Sequence, residues 1–432
     1  MAERLRRIYT LVLYFLTPLL LVRLALLGVR NRGYWEGWPE RLGFVPALPS
    51  AGLKLWVHAV SVGEAQAASA LVRALLARVP PMTIMVTTTT PTGAATVRRL
   101  LRDEVRHCYL PFDLPVALRR FIERTRPAAL VILETELWPN LLHCCRRARI
   151  PVFIANARLS ERSFAGYRRW PASVRGMLAG VTAVAAQSPA DAERFMALGV
   201  SESLVHVTGN IKFDVTTPRD LQDRASRLKR EVAPGRRVWT AASTHEGEEA
   251  QVLSAFAVLH QRDPGLLLVL APRHPERFGK VYDLCRQRGF ATARRTAPSS
   301  ERPDVFLADT MGELPLFYAL SEVAFVGGSL VAVGGHNPLE PAALGVPVVS
   351  GPHIFNFTAV YDLLTASQAA WVVNDADELL SRLRIVLADS NLRATAGRRA
   401  RAVVAENRGA VDRVMEILMP LLEPPANQTV AD

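Results

Sequence analysis

The sequence predicts an α/β chain built from two doubly wound halves, and three observations carry that reading. From Leu53 onward, short β-rich runs alternate with helical stretches. The alternation pauses once, at VHVTGNIKFDVTTPRD, and then restarts. Ahead of both halves stands a nearly unbroken apolar run, Ile8–Val22. Strands that alternate with helices imply parallel βαβ units, with helices on both faces of each sheet.

The apolar run reads IYTLVLYFLTPLLLV, is interrupted by Arg23, and continues as LALLG. With Arg23 snorkelling, Ile8–Gly28 approaches the length of a thin bilayer span. Arg4, Arg6 and Arg7 precede it, and Arg23, Arg30 and Arg32 follow, so the charge rule sets no orientation. No Ala-x-Ala-like site follows the run, which speaks against a cleaved signal peptide. The segment is expected to be an anchor that spans the bilayer or lies in its interface, with its arginines on anionic head groups. A buried core helix is the alternative.

In the first half, KLWVHAV, TIMVTTT, HCYLPFD, LVILETE, VFIANA and VTAVAAQS each read as a buried strand. In the second, RVWTAAS, LLLVLAPRH, DVFLAD, VAFVGGS and VPVVSG do the same. The predicted organisation is an anchor over 1–34, a first domain over 35–210 and a turn-rich linker over 211–219. A second domain follows over 220–410, then a closing helix and tail over 411–432, the tail PPANQTVAD being frayed. In such sheets ligands bind beyond the carboxyl ends of the strands, so the two halves are expected to face each other across a cleft.

Composition narrows the function classes. Half of the 432 residues are hydrophobic and 21% are charged, which excludes global disorder. The net charge of +12 favours an anionic partner, and with only four lysines it comes from arginine, whose fork suits phosphate. Basic blocks interleaved with aromatics are not concentrated anywhere, so nucleic acid is not the expected partner. The four cysteines show no CxxC spacing, and Cys144 beside Cys145 would make an awkward disulfide, so the chain reads as one from a reducing compartment.

Candidate chemistry sits in loops that follow predicted strands. In SVGEAQA, Gly63 permits close backbone approach and Glu64 opens a helix, a place for a general base or for a simple helix-dipole partner. In LETELWPN, Glu134 and Glu136 lie two residues apart on one side of an extended strand, where one could orient a substrate hydroxyl. ANARLSERS offers Asn156, Arg158, Ser160 and Arg162 to an anionic acceptor, or is an ordinary solvated loop. Lys212, in GNIKFD, falls at the domain junction. In the second half, AASTHEGEE forms a strand-to-helix turn suited to phosphate. Arg273, in APRHPERF, is placed for a bidentate phosphate contact, and His274 could cap the next helix. DTMGEL brings Met311 and Gly312 to a further turn. The most specific segment is VGGSLVAVGGHNPLEPAAL: paired glycines, Gly335 among them, then His336, Asn337 and a helix whose first turn holds Glu340.

Taken together and in order, the anchor, SVGE, ETELWPN, NARLSERS, GNIKFD, PRHPERF, DTMGEL and GGHNPLEP resemble the 3-deoxy-D-manno-octulosonic acid (Kdo) transferases, which are GT-B glycosyltransferases of lipopolysaccharide synthesis. The resemblance covers nearly the whole chain. It implies two Rossmann-like domains, the first binding the acceptor and the second the nucleotide sugar. It implies CMP-Kdo as donor, a lipid A precursor (lipid IVA) as acceptor, and inversion at the sugar. It also implies action at the cytoplasmic face of the inner membrane, without a cofactor or metal. Glu64 falls on the family's catalytic glutamate. Arg273, Met311, Asn337 and Glu340, with the neighbouring glycines, fall on its donor side. Beside these, Gly63 and His274 are assigned to the donor, and Glu136, Arg158 and Lys212 to the acceptor.

Overall fold

The computed structural model describes residues 2–49, 52–79, 81–297 and 302–422; the predicted tail from Pro424 lies outside them. The chain forms two compact units. The first runs to Asp214 and takes the chain back from Arg408; the second is Val215–Asn407.

The first unit is built on seven parallel strands: β1 (Leu53–His58), β2 (Met82–Thr88), β3 (Arg106–Tyr109), β4 (Ala129–Leu133), β5 (Val152–Ala157), β6 (Val181–Ala186) and β7 (Val205–Val207). Their order is β3-β2-β1-β4-β5-β6-β7. The strands are near-continuous apolar runs because both faces are covered. Leu55, Val57, Val131 and Leu133 point into one core, and Trp56, Leu130 and Ile132 into the other. The C-terminal helix Ala410–Leu422 lays Val414, Met415 and Leu418 into the first of these cores. The short turn Ile211–Phe213 also belongs there, through buried Ile211.

The second unit repeats the plan with β8 (Val238–Thr244), β9 (Leu267–Pro272), β10 (Thr292–Arg294), β11 (Val305–Leu307), β12 (Val323–Val326), β13 (Val348–Ser350) and β14 (Ala370–Val372). The order is β10-β11-β9-β8-β12-β13-β14, again all parallel. In each sheet the chain first builds outward on one side and then returns to build on the other. That reversal lies between β1 and β4 in the first sheet and between β8 and β12 in the second. At such a switch point neighbouring loops diverge and leave a crevice at the strands' carboxyl ends.

The N-terminal segment is one helix, Ala2–Arg30, with Pro18 inside it. Over Glu3–Val29 its best window has mean hydropathy 2.2 and is only 6% buried. Phe15 is 78% exposed, and Leu11, Leu19 and Leu26 are also exposed. A core helix would bury such residues. One end is held to the body: Arg6 Nη1 and Thr10 Oγ1 donate to Asn140 Oδ1 at 2.9 and 3.0 Å. Asn140 lies in the first turn of helix Pro139–Arg147, where the buried Asp113 carboxylate accepts from the backbone N–H of Asn140 and Leu141.

Candidate active site

Helix Val62–Arg78 starts directly beyond β1, because Ser61 caps it: its hydroxyl accepts from Glu64 N at 3.3 Å. Glu64 folds back in return. Its Oε2 accepts from Val60 N at 2.7 Å and its Oε1 from the Ser61 hydroxyl at 2.8 Å. This reciprocal arrangement is a form of capping box. The bland expectation for Glu64, a helix-end partner, therefore describes a contact it does make. That contact leaves lone pairs on both oxygens, and the side chain is 7% exposed. Burial raises the Glu64 carboxyl above its ordinary range; the Val60 N–H and the Ser61 hydroxyl oppose the shift, and the Glu134 charge adds to it.

The loop after β4, the strand paired with β1, supplies the neighbours. Extended geometry stops at Leu133, and Glu134 takes a left-handed backbone with φ 59°. The expectation of two carboxylates along one extended strand thus gives way to a turn that sends each to its own partner. Glu134 Oε1 meets Lys212 Nζ at 3.0 Å. Glu136 Oε2 accepts from the Trp138 indole at 2.9 Å. Burial, and after it the Glu64 charge, push Glu136 up to about 7.

Lys212 arrives from the far edge of the sheet on the turn Ile211–Phe213, which is held in two places. Asn210 Oδ1 accepts from Lys212 N, and buried Asn156 Oδ1 accepts from Ile211 N, both at 3.0 Å. Asn156 is itself left-handed, with φ 54°. The sequence offered Asn156 to the acceptor; in the structure it positions the turn that carries Lys212. A Cβ built on Gly63 would stand 3.7 Å from Lys212 Nζ, an ordinary contact distance, so the ammonium lies directly beside Gly63. Gly63, Glu64, Glu134, Glu136 and Lys212 thus form one cluster. Arg158 is exposed, and its carbonyl accepts from the Thr135 hydroxyl, tying the loops after β4 and β5 together.

In the second unit the loops after β11, β9, β8 and β12 lie side by side along the sheet's carboxyl edge. The central piece is Glu248, which sequence reasoning passed over. It is fully buried and accepts four backbone N–H groups: His245 at 2.9 Å, Gly328 at 2.7 Å, Ser329 at 2.9 Å and Leu330 at 2.8 Å. It therefore ties the turn after β8 to the glycine loop after β12. The signal was the EGEE run at a helix start, which places a carboxylate where loop amides converge. The glycines are needed there. A Cβ on Gly327 would come within 2.7 Å of the Ser243 carbonyl, and Gly335 has φ 76° and packs on the His353 carbonyl.

Around this loop gather three imidazoles and a guanidinium. His245 and His336 share a hydrogen bond of 2.8 Å between their Nε2 atoms, and His274 stands edge-on to His245 with ring centroids 5.1 Å apart. Burial first, then the Arg273 charge, hold His336 down at about 3. Burial likewise lowers His245. His245 and His336 are thus held toward the neutral form, and Arg273, half-buried just beyond β9, carries the positive charge. His274 starts the following turn but makes no side-chain cap bond. Asn337 Oδ1 accepts from Leu339 N at 3.0 Å and so starts the short helix Leu339–Ala343, which carries Glu340 in its first turn. Met311 is 47% exposed, so it is not plain core, and Gly312 beside it turns the chain with φ 86°. Among the described residues, no group of three or more His, Cys, Asp or Glu side chains is arranged to hold a metal ion.

Comparison with known proteins places this chain in a family. Residues 36–215 match the family described as 3-Deoxy-D-manno-octulosonic-acid transferase (kdotransferase). A 3-deoxy-D-manno-octulosonic acid transferase of Haemophilus influenzae is 41% identical, over 97% of this chain and 99% of its own. One of Bordetella pertussis is 38% identical, over 96% and 98%. The solved UDP-GlcNAc 2-epimerase of Neisseria meningitidis, bound to UDP-GlcNAc, covers 85% of this chain and 100% of its own at TM-score 0.54. Its identity is 15%, so that likeness speaks to the GT-B-type fold alone.

Proposed function

The chain belongs to the 3-deoxy-D-manno-octulosonic acid transferases, glycosyltransferases of lipopolysaccharide synthesis, and on that footing we propose that it transfers Kdo from CMP-Kdo to a lipid A precursor, lipid IVA, with inversion and with Glu64 as general base. The observation that carries this reading is the Glu64 carboxyl itself. It is buried, pushed toward the protonated form, and set among Glu134, Glu136 and Lys212. A base needs a proton affinity nearer the working pH than an ordinary carboxylate has.

In the proposed reaction the acceptor hydroxyl loses its proton to Glu64 as its oxygen bonds to the anomeric carbon of Kdo. The bond from that carbon to the phosphate oxygen of CMP breaks on the opposite face, which inverts the centre. CMP leaves as an anion. Arg273 and the backbone amides around Asn337 are the groups assigned to its phosphate, and Glu340 to the ribose hydroxyls. His274, Met311, Gly312 and Gly335 complete the donor pocket, while Glu136, Arg158 and Lys212 serve the acceptor. The exposed apolar helix Ala2–Arg30 supports membrane association, which we assign to the cytoplasmic face of the inner membrane. Mass spectrometry of the products from CMP-Kdo and a tetra-acylated lipid A precursor tests the reading. A mass increase of one or more Kdo units is expected; an unchanged acceptor overturns it.

A further inference from the structure

A cavity of about 580 Å³ lies in the first unit, between the N-terminal helix and helices Pro139–Arg147 and Pro171–Leu178. Ile8 and Tyr9 face it from the N-terminal helix, Leu142 from the second helix, and Val174 and Met177 from the third. Its walls are thus largely apolar, and one of them belongs to the helix whose outer face is itself apolar and exposed. The charged residues on its lining are Arg6, Arg146 and Glu3. Arg6 divides its guanidinium between Glu3 and Asn140, whereas Arg146 is exposed. Trp170, 59% exposed, also borders the cavity; indoles favour the boundary between lipid and water.

Two further facts bear on the occupant. Leu137 lines the cavity, and the residue before it is Glu136 of the carboxylate cluster. The Tyr167 ring is shared in the same way: it lines the cavity, and its phenol is pushed up by burial and then by the Glu136 charge. The cavity wall therefore includes the residue next to Glu136 on the loop after β4. In addition, Ser173 Oγ in its wall is buried with no hydrogen-bond partner among the described residues. A carbonyl of an acyl linkage would give it one.

We propose that this slot holds one acyl chain of the phosphorylated acceptor lipid while its hydroxyl is presented at Glu64, with Arg146 facing the lipid's anionic head. An apolar slot walled by the exposed apolar N-terminal helix, bordering the loop that carries Glu136 and edged by the exposed Arg146, has the chemistry of an acylated anion. This inference rests on the proposed transfer to a lipid A precursor.

Gly176 lines the slot from a helix, where leucine is better tolerated than glycine, so Gly176→Leu fills the space without weakening the helix. Met177→Phe is the second filling variant, should the first show a lowered melting temperature. Transfer is measured with the full chain, using the tetra-acylated acceptor and the same acceptor shorn of its acyl chains. The expected result is a KM for the acylated acceptor raised by roughly 10-fold or more in the filled variant. KM for the deacylated acceptor and affinity for CMP stay unchanged. Equal effects on both acceptors, or none on either, overturn the slot. Absence of transfer by the wild type to any acceptor overturns the transfer reading instead. A binding measurement then still tests the slot. Acceptor carrying brominated acyl chains is expected to quench Trp170, read as the difference between wild type and Trp170→Phe, and the quench is expected to vanish in Gly176→Leu. Equal quenching in wild type and Trp170→Phe overturns the proposal.

Discussion

Glu64 and Glu248 occupy matching places in the two units: each sits in the first turn of the helix that follows a strand at the switch point. Their surroundings differ. Glu248 spends both oxygens on four backbone amides and is fully buried. Glu64 accepts from one amide and one hydroxyl, and its near neighbours include Glu134 and Glu136. The first environment fills the carboxylate's accepting positions with amides and so shapes a loop. The second penalises the charge and leaves oxygen lone pairs for another donor. One position in one kind of fold thus yields a loop clamp in the second unit and, in the first, a buried carboxyl with accepting capacity to spare, the group proposed as the base.

The largest expected effect that tests this contrast is chemical. Glu64→Gln keeps the shape and one accepting oxygen but removes the proposed base, so turnover should fall by roughly 10²-fold or more with CMP affinity retained. Near-normal turnover, with only a slightly lowered melting temperature, would leave Glu64 a helix cap. Glu248→Ala should do the reverse. It strands four buried N–H groups, so stability should drop by about 3 kcal/mol or more, lowering the melting temperature by roughly 6–12 °C. CMP binding should weaken with it; calorimetry of folding and of binding on one preparation reads both.

Arg273→Ala comes next. Loss of a charge-assisted phosphate contact is worth about 1.5–3 kcal/mol, or roughly 10–150-fold in CMP affinity by titration calorimetry. Unchanged affinity would remove Arg273 from the donor role. The smallest effect concerns Glu136, whose carboxyl is pushed up to about 7 in the folded chain from an ordinary 4.5. Between these values the native state holds more protons than the unfolded one. The stability this provides is complete below pH 4.5 and is lost as pH rises through 7. Glu136→Gln should flatten denaturation midpoints across that window, and an unaltered slope would refute the raised value.

The strands that escaped notice in the sequence share one physical character. β7, β10 and β14 are three-residue strands at sheet edges, bonded to one neighbour each. Val207 and Val372 are exposed. A three-residue edge strand covers little core and leaves no apolar run to read, whereas the edge strand β3, which buries Cys108 and Tyr109 and runs on into buried Leu110, is legible. Central strands such as LVILE and LLLVL are covered on both faces and announce themselves. The C-terminal helix was legible as a helix, but its destination was not. Nothing local tells Val414 and Leu418 that their core is the one built by Leu71 and Leu75, far earlier in the chain.

The site divides along the same line. By itself the sequence determined the two α/β halves, the apolar N-terminal run, and the placement of Glu64, Glu136, Arg273 and the glycine loop beyond strand ends, because strand periodicity and turn residues are local properties. Only the tertiary structure decided that Lys212 crosses the sheet to meet Glu134, that Asn156 holds the turn delivering it, and that Glu248 gathers amides from a loop some 80 residues later. Those partners are set by which strands pair and in what order. Strand order follows from burying every apolar face at once, a sum over the whole chain that no short stretch of residues contains.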